Sequence, residues 1–457
     1  MLAITILPTV YSSLLKMNST WMFKLLFPLI FAFVPLGLYQ IWQEYVGKKY
    51  AFIAAFLFIA QETFFTELLG LNRQIIAELF FVLLLFVMLS EKIKPVQKII
   101  CFLLFSFGLV TSHYALAVIF LFFISCTVIS LIVLKRASRK ITLSMVVLFF
   151  AVMFIWYIYT SGSAPFNSFL QFGNSVYGQL GNFLSPSSRG QTVLTGVGLA
   201  ASPSIWNTIS RYFAYLTEGL IVLGFIVFVA ARARKKIRID EYFILTFAAM
   251  ALLAMVIVIP GLANTLDMTR FYHILLFLLA PLCVIGAVSI VKLLSKREKE
   301  FAVCALLLIV LIPFFLFQTE FVFAVTGSQS WSISLSGSRM SPLYLYGQQG
   351  YTDAYSVYGA QWLSRNVDVK DSTLYADLSA ATDVLFMYGM IYAFDVNGLS
   401  NTTQVATNGV IYLNTLNVVY GVIPSGQLTF NSTKLSFFND LDLVYSNGGS
   451  EIYKNPA

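Results

Sequence analysis

Charge is what this chain has least of. Only 11% of its 457 residues are Asp, Glu, Lys or Arg, while 58% are hydrophobic. Soluble domains carry about a quarter of their residues charged, so this composition cannot supply a water-facing surface over the whole chain. It points to a polytopic membrane protein. Histidine is nearly absent, with two in the chain, and the four cysteines (Cys101, Cys126, Cys283, Cys304) lie in or beside apolar runs. No CxxC or HExxH spacing occurs. The cysteines therefore read as small packing residues, not as a disulfide framework or a metal site. A divalent cation remains possible among the charged residues, but no ligand spacing demands one, and no cofactor is implied.

What the chain has in quantity is aromatic side chains. They make up 16% of it, with 43 Phe and 24 Tyr, as expected of lipid-facing helices with aromatic belts. The scarce charge is also unevenly placed. Residues 1–324 hold 24 Lys/Arg against 12 Asp/Glu, and residues 325–457 hold 5 against 9. The basic residues sit in short loops between apolar runs. That pattern orients spans by the positive-inside rule and does not point to nucleic acid.

The apolar runs predict about ten transmembrane helices: 21–39, 48–60, 74–90, 97–111, 114–134, 141–160, 212–231, 242–261, 271–291 and 301–323. The run at 48–60 is the shortest and borrows from its flanks. Basic clusters in "EKIKPVQK", "KRASRK", "RARKKIR" and "KREKE" alternate with charge-poor segments at 161–211, 261–270 and 325–457. One orientation satisfies them all: basic loops cytoplasmic, both termini and the long segments outside. The expected fold is thus an α-helical polytopic membrane bundle, residues 1–324, with a small C-terminal α/β extracytoplasmic domain, residues 325–457. In that domain "SVYGAQWLSRN" and "AATDVLFMYG" read as helices, "STLYADL" and "GVIYLNTLNVVYGV" as strands, and "LDLVYSNGGSEIYKN" as a hairpin around Asn-Gly. Within 161–211, "APFNSFLQFGNSVYGQLGNFL" reads as a surface helix, either a lid or a plain interfacial element.

Three external turns carry the polar residues that lipid does not explain. "QETFFTELLGLNR" offers Glu67, Asn72 and Arg73, and Glu78 follows inside the next span; "VTSHYAL" offers His113 and Tyr114; "ANTLDMTRFYH" offers Asp267, Arg270, Tyr272 and His273. Group transfer from a lipid-linked phosphate needs cations at the outer leaflet, Arg above all for its planar fork, and a carboxylate to deprotonate an acceptor hydroxyl. Arg73 and Arg270 can supply the first and Glu67 or Glu78 the second, with Asn72, His113, Tyr114 and Asp267 as further substrate contacts. Gln74 and Glu78 are four apart and share a helical face, which turns Glu78 to the bundle interior. Each residue has a plainer alternative: an interhelix partner for Glu78, snorkelling for the arginines and Lys24, and packing for His113. Glu218, inside another apolar run, is a weaker candidate of the same kind.

The stretches "ITILPTVYSSLLKMNSTWMFKLLFPLIFAFVPLGLYQ", "LNRQIIAELFFVLLLFVML", "LVTSHYALAVIF", "MTRFYHILLFLLAPLCVIGA" and "VYSNGGSEIYKN" together resemble a family of uncharacterised archaeal predicted membrane proteins. That family looks like the GT-C superfamily of polytopic glycosyltransferases, on span pattern, topology and the entry at Arg73, Glu78 and Phe80. The resemblance implies an enzyme at the cell membrane that moves sugar from a polyprenyl-phosphate donor, among membrane lipid, to an extracytoplasmic acceptor. It also implies a catalytic aspartate in the first external loop. Here no acidic residue precedes Glu44, and the opening "MLAITILPTVYSS" resembles the end of that loop. Either the chain is N-terminally incomplete relative to the superfamily or it lacks the usual base. The alternatives to a glycosyltransferase are a transporter or flippase of a lipid-linked envelope precursor, and a non-catalytic membrane assembly protein.

Overall fold

The computed structural model describes residues 2–65, 68–138, 140–160, 162, 164–182, 191–196, 198, 202, 204–235, 240–295, 299–328, 341–347, 350–368, 371–425, 428–432 and 435–456. The chain divides into two compact units, Met1–Leu335 and Ser336–Ala457.

The first unit is helical. Its main elements are α1 (Leu2–Leu15), α2 (Met22–Val46), α3 (Lys48–Ile59), α4 (Asn72–Leu89), α5 (Pro95–Ser112), α6 (Tyr114–Val133), α7 (Leu143–Ile155), α8 (Ala164–Gln179), α9 (Ile205–Lys235), α10 (Glu241–Val258), α11 (Met268–Ser295) and α12 (Glu300–Gln318). Eight of them, α2, α4, α5, α6 and α9–α12, are long and apolar enough to cross a membrane. Among the described residues the expectation of about ten therefore meets eight. The two that fall short are α3 and α7. With 12 residues, α3 rises only about 18 Å against a hydrocarbon core of about 30 Å. Its chain breaks at Ala60 before a single turn at Glu62–Phe65, and α7 loosens into a π turn at Trp156–Thr160.

Helix ends are satisfied locally, as lipid demands of every backbone polar group. The Asp240 carboxylate accepts from the Phe243 N–H at 2.7 Å and caps α10. At the other end of α4, Lys98 Nζ donates to the carbonyls of Met88 (2.7 Å) and Ser90 (3.3 Å). Polar contacts also gather the basic loops at one end of the bundle. Lys92 pairs with Glu44 (2.9 Å), Lys49 with Glu300 (2.7 Å), Lys140 with Glu91 (2.7 Å), and Ser138 donates to Glu241. Exposed pairs of this kind add little stability each. Their value here is geometric, because they tie the chain after α2, α4, α6, α9 and α11 to the same end.

The most enclosed span is α11, with 78% of its apolar window buried. Pro281 sits inside it, and proline has no N–H, so the Phe277 carbonyl one turn earlier loses its helical donor. The indole of Trp42, itself fully buried, supplies the missing bond from α2 at 3.0 Å. On another side α11 meets α9 backbone to backbone. A Cβ on Gly286 would lie 2.1 Å from the Leu220 carbonyl oxygen, and one on Gly224 would lie 1.9 Å from that of Leu282. Small residues at such crossings let membrane helices approach closely enough to gain dispersion contacts.

The second unit is α/β. A helix, α13 (Ala354–Asn366), covers a five-stranded sheet ordered β2-β1-β3-β7-β6, where β1 is Leu374–Ala376, β2 Val396–Gly398, β3 Val410–Leu413, β6 Asp442–Ser446 and β7 Glu451–Lys454. Pairs β1–β2 and β1–β3 are parallel; β3–β7 and β6–β7 are antiparallel. The expected hairpin is β6–β7, its turn held by Asn447, whose Oδ1 accepts from the N–H groups of Gly449 and Ser450. The expected long strand "GVIYLNTLNVVYGV" ends at Leu413. Asn414 and Asn417 there form a reciprocal capping box that opens the turn Thr415–Val418. A separate hairpin, β4 (Val422–Ser425) with β5 (Leu428–Asn431), follows. Asp377, buried at the end of β1, accepts from Ser379 Oγ, the Ala380 N–H and Asn417 Nδ2, so it is a structural tie.

Replacing Trp42 by Phe should destabilise the membrane unit by about 1–3 kcal/mol, the usual result of orphaning a buried carbonyl. In a Pro281→Ala background the helix regains its own donor, and the same replacement should cost clearly less. A double-mutant cycle on the thermal midpoint in detergent checks this; equal losses in both backgrounds would show that the indole contributes only packing.

Candidate functional site

Opposite the basic loops, the bundle end is formed by the chain between α3 and α4, the α5–α6 turn, the α10–α11 turn and the end of α12. The Glu62 N–H donates to Gln318 Oε1 at 3.3 Å, joining the first of these to the last. His113 is the sole residue between α5 and α6. Its Nδ1 accepts from the Leu116 N–H at 3.4 Å and so caps α6, which leaves Nε2–H as its donor. Burial pushes its pKa down to about 4, and the nearby guanidinium groups of Arg73 and Arg270 push the same way. Three turns distant in sequence thus bring two arginines within electrostatic reach of one imidazole. The Tyr114 ring lies parallel to that of His113, 5.8 Å away.

Arg270 is engaged already. Its Nε donates to Asp267 Oδ2 at 2.7 Å and its Nη2 donates to the same oxygen, while Thr269 Oγ1 donates to Oδ1 at 2.9 Å. Asp267 has a φ of 56°, the left-handed region that a non-glycine residue occupies only when its surroundings hold it there. The Asp267–Arg270 pair therefore stiffens this turn, and part of the Arg270 charge is spent within it. Asn72, at the start of α4, has a buried Oδ1 with no hydrogen-bond partner among the described residues. Glu67 lies outside the described residues.

Beneath this end, inside the bundle, sits a second polar group. Glu78 is fully buried on α4, and its Oε1 accepts from Gln74 Nε2 at 3.0 Å across one turn. Its Oε2 is 3.8 Å from Nδ1 of His273 on α11, also fully buried. Neither that oxygen nor either ring nitrogen meets a partner in hydrogen-bonding geometry among the described residues. The imidazole stacks on Phe58 (4.2 Å, 29°) with Phe64 tilted beside it at 6.0 Å, so aromatic rings from either side of the α3 break lie against His273. Sequence reasoning placed His273 with Arg270 in an external polar turn and gave it no specific role, whereas the structure buries it fully inside the bundle. The available signal was its spacing of three from Arg270, which puts both on one helical face. Among the described residues no three His, Cys, Asp or Glu side chains come together to hold a metal ion.

Long apolar helices enclosing charged and imidazole side chains define a multi-pass membrane protein. Residues 98–453 match the family described as predicted membrane protein (DUF2206), and the chain belongs to that family. His113, Asp267, Arg270 and His273 fall inside the matched region; Arg73 and Glu78 precede it. No curated protein matches the chain.

Because the folded state holds His113 neutral down to pH about 4, the unfolded chain binds the extra proton first, near its ordinary pKa of about 6.5. The contribution of His113 to stability should then rise with pH across that window and be flat above it. Thermal midpoints of wild type and His113→Asn at pH 4.5 to 7.5 check this, with the variant showing the shallower slope. An unchanged slope in the variant would assign the dependence to other groups.

Proposed function

We propose that this protein binds the phosphate of a polyprenyl-phosphate-linked sugar donor at the Arg73–His113–Arg270 end of the bundle and transfers the sugar to an extracytoplasmic acceptor. The observation that carries the reading is the convergence of two guanidinium groups on a neutral imidazole donor at the mouth of the bundle. Planar Arg forks and an N–H match phosphate oxygens, and together they offset charge where lipid and water meet. Arg270 is held in part by Asp267, and both arginines serve as phosphate ligands in this reading. The general base is a carboxylate at the same end. Glu78 is fully buried, so it acts as a positioning residue through Gln74 and His273; Glu67 is the other carboxylate suited to the task. A second reading, transport or flipping of a lipid-linked precursor, draws on the Glu78–His273 pair, since ionisable groups enclosed in a membrane bundle commonly line proton or substrate paths. Transfer of radiolabelled sugar from a polyprenyl-phosphate donor separates the two, because a transporter would move the donor across vesicles without consuming it.

In this reading α3 and α7 complete about ten crossings, the basic loops face the cytoplasm, and the site and the C-terminal α/β domain lie outside. A cysteine replacing Ser372 should label with an impermeant thiol reagent in intact cells, and one replacing Lys92 should label only after lysis. Labelling of Lys92→Cys from outside would place the site on the cytoplasmic face.

Arg73→Lys keeps the charge but loses the fork, and donor affinity should fall by about 1.5–3 kcal/mol. Arg73→Ala should do at least as much harm, and Lys24→Ala should leave binding unchanged. The measurement is a donor titration on purified protein in lipid nanodiscs, with folding monitored in parallel. Wild-type affinity in Arg73→Ala would move the phosphate site elsewhere.

A further inference from the structure

The second unit carries a surface that its own folding does not require. Between Asp383 and Asp395 the chain reads VLFMYGMIYAF, without a charged residue. Val384, Leu385 and Ile391 turn inward and pack in the core beneath α13. Phe386, Met387, Tyr388, Met390, Tyr392 and Phe394 turn outward, and Met390 and Phe394 are 87% and 86% exposed. The Tyr392 ring contacts those of Phe386 and Phe394, with centroids 6.2 and 5.2 Å apart. At the apex Met390 is held at a φ of 57°, a conformation with an energetic cost for a non-glycine side chain. Strain that lifts an apolar side chain into solvent returns no stability to the unit that bears it. A contiguous exposed patch of this kind marks an interaction site.

We propose that this aromatic apex inserts into the interface of the bilayer that holds the protein's own spans. The apex is built of Phe, Tyr and Met side chains, the aromatics among them of the kind that settles at headgroup depth. Acidic residues bracket it, which suits shallow insertion with the two carboxylates left in water. The tether also favours a lipid occupant. Residues 329–340 connect the unit to the membrane-spanning chain, and twelve residues reach at most about 40 Å. The apex therefore samples the bilayer at high effective concentration, and a few weakly inserting side chains are enough to hold it there.

The test uses full-length protein with its four native cysteines replaced, reconstituted in nanodiscs, with an environment-sensitive fluorophore on single cysteines at Met390 or Phe394. A third site, Val444→Cys on β6 at the opposite edge of the sheet from β2, is the control. The fluorophore at 390 and 394 should be blue-shifted and quenched several-fold more than at 444 by lipids carrying a nitroxide near the headgroup. A Phe394→Asp change should reduce quenching at position 390. Water-like emission with no quenching at 390 and 394 would overturn the proposal. So would a blue shift without lipid quenching, which would assign the apex to a protein surface. Both readouts are independent of sugar transfer, so they stand or fall apart from the proposed activity.

Discussion

The membrane unit is organised around one unsatisfied carbonyl. Pro281 removes a donor from the middle of α11, and in lipid no water stands by to replace it. Trp42 does so from α2, bonding Phe277 at 3.0 Å. That bond fixes the rotation of α2 against α11, and the glycine crossing at Gly224 and Gly286 fixes α9 on another side. Within this frame α11 has a defined face toward α4, and His273 reaches Glu78 because of it.

Two polar groups of different character follow. At the bundle end, Arg73, His113 and the Asp267–Arg270 pair are only half-buried. Deeper, Glu78 and His273 are fully enclosed, with one carboxylate oxygen and both ring nitrogens lacking good partners. A buried, incompletely bonded pair is unfavourable for folding. The pair lies about one helical turn further into the bundle than Arg73 and Arg270 on the same two helices. The short α3 contributes as well: its break at Ala60 brings Phe58 and Phe64 against the His273 ring from either side of one loop.

Much of this was legible in the residues. Long apolar runs specify helices wherever lipid leaves the backbone no other partner, and the basic loops were assigned to one face before their ion pairs showed them meeting at one end. The i, i+4 pair of Gln74 and Glu78 followed from helical geometry alone. The β6–β7 hairpin followed from Asn447-Gly448, whose turn chemistry is local. Where competing local signals stood close together, reading failed. "GVIYLNTLNVVYGV" has strand composition, yet two asparagines three apart closed a capping box and ended the strand at Leu413.

What the sequence alone determined, then, is what depends on neighbours in the chain: membrane class, most helix positions, hairpin turns and the side of the bundle to which charge belongs. Tertiary structure decided which distant residues meet. No spacing in the sequence connects Trp42 to Phe277, Arg73 to His113, or Glu78 to His273, because each pair depends on the rotation and depth of two separate helices. Those are set by glycine crossings and by a single proline, whose effect is felt only when another helix is there to answer it.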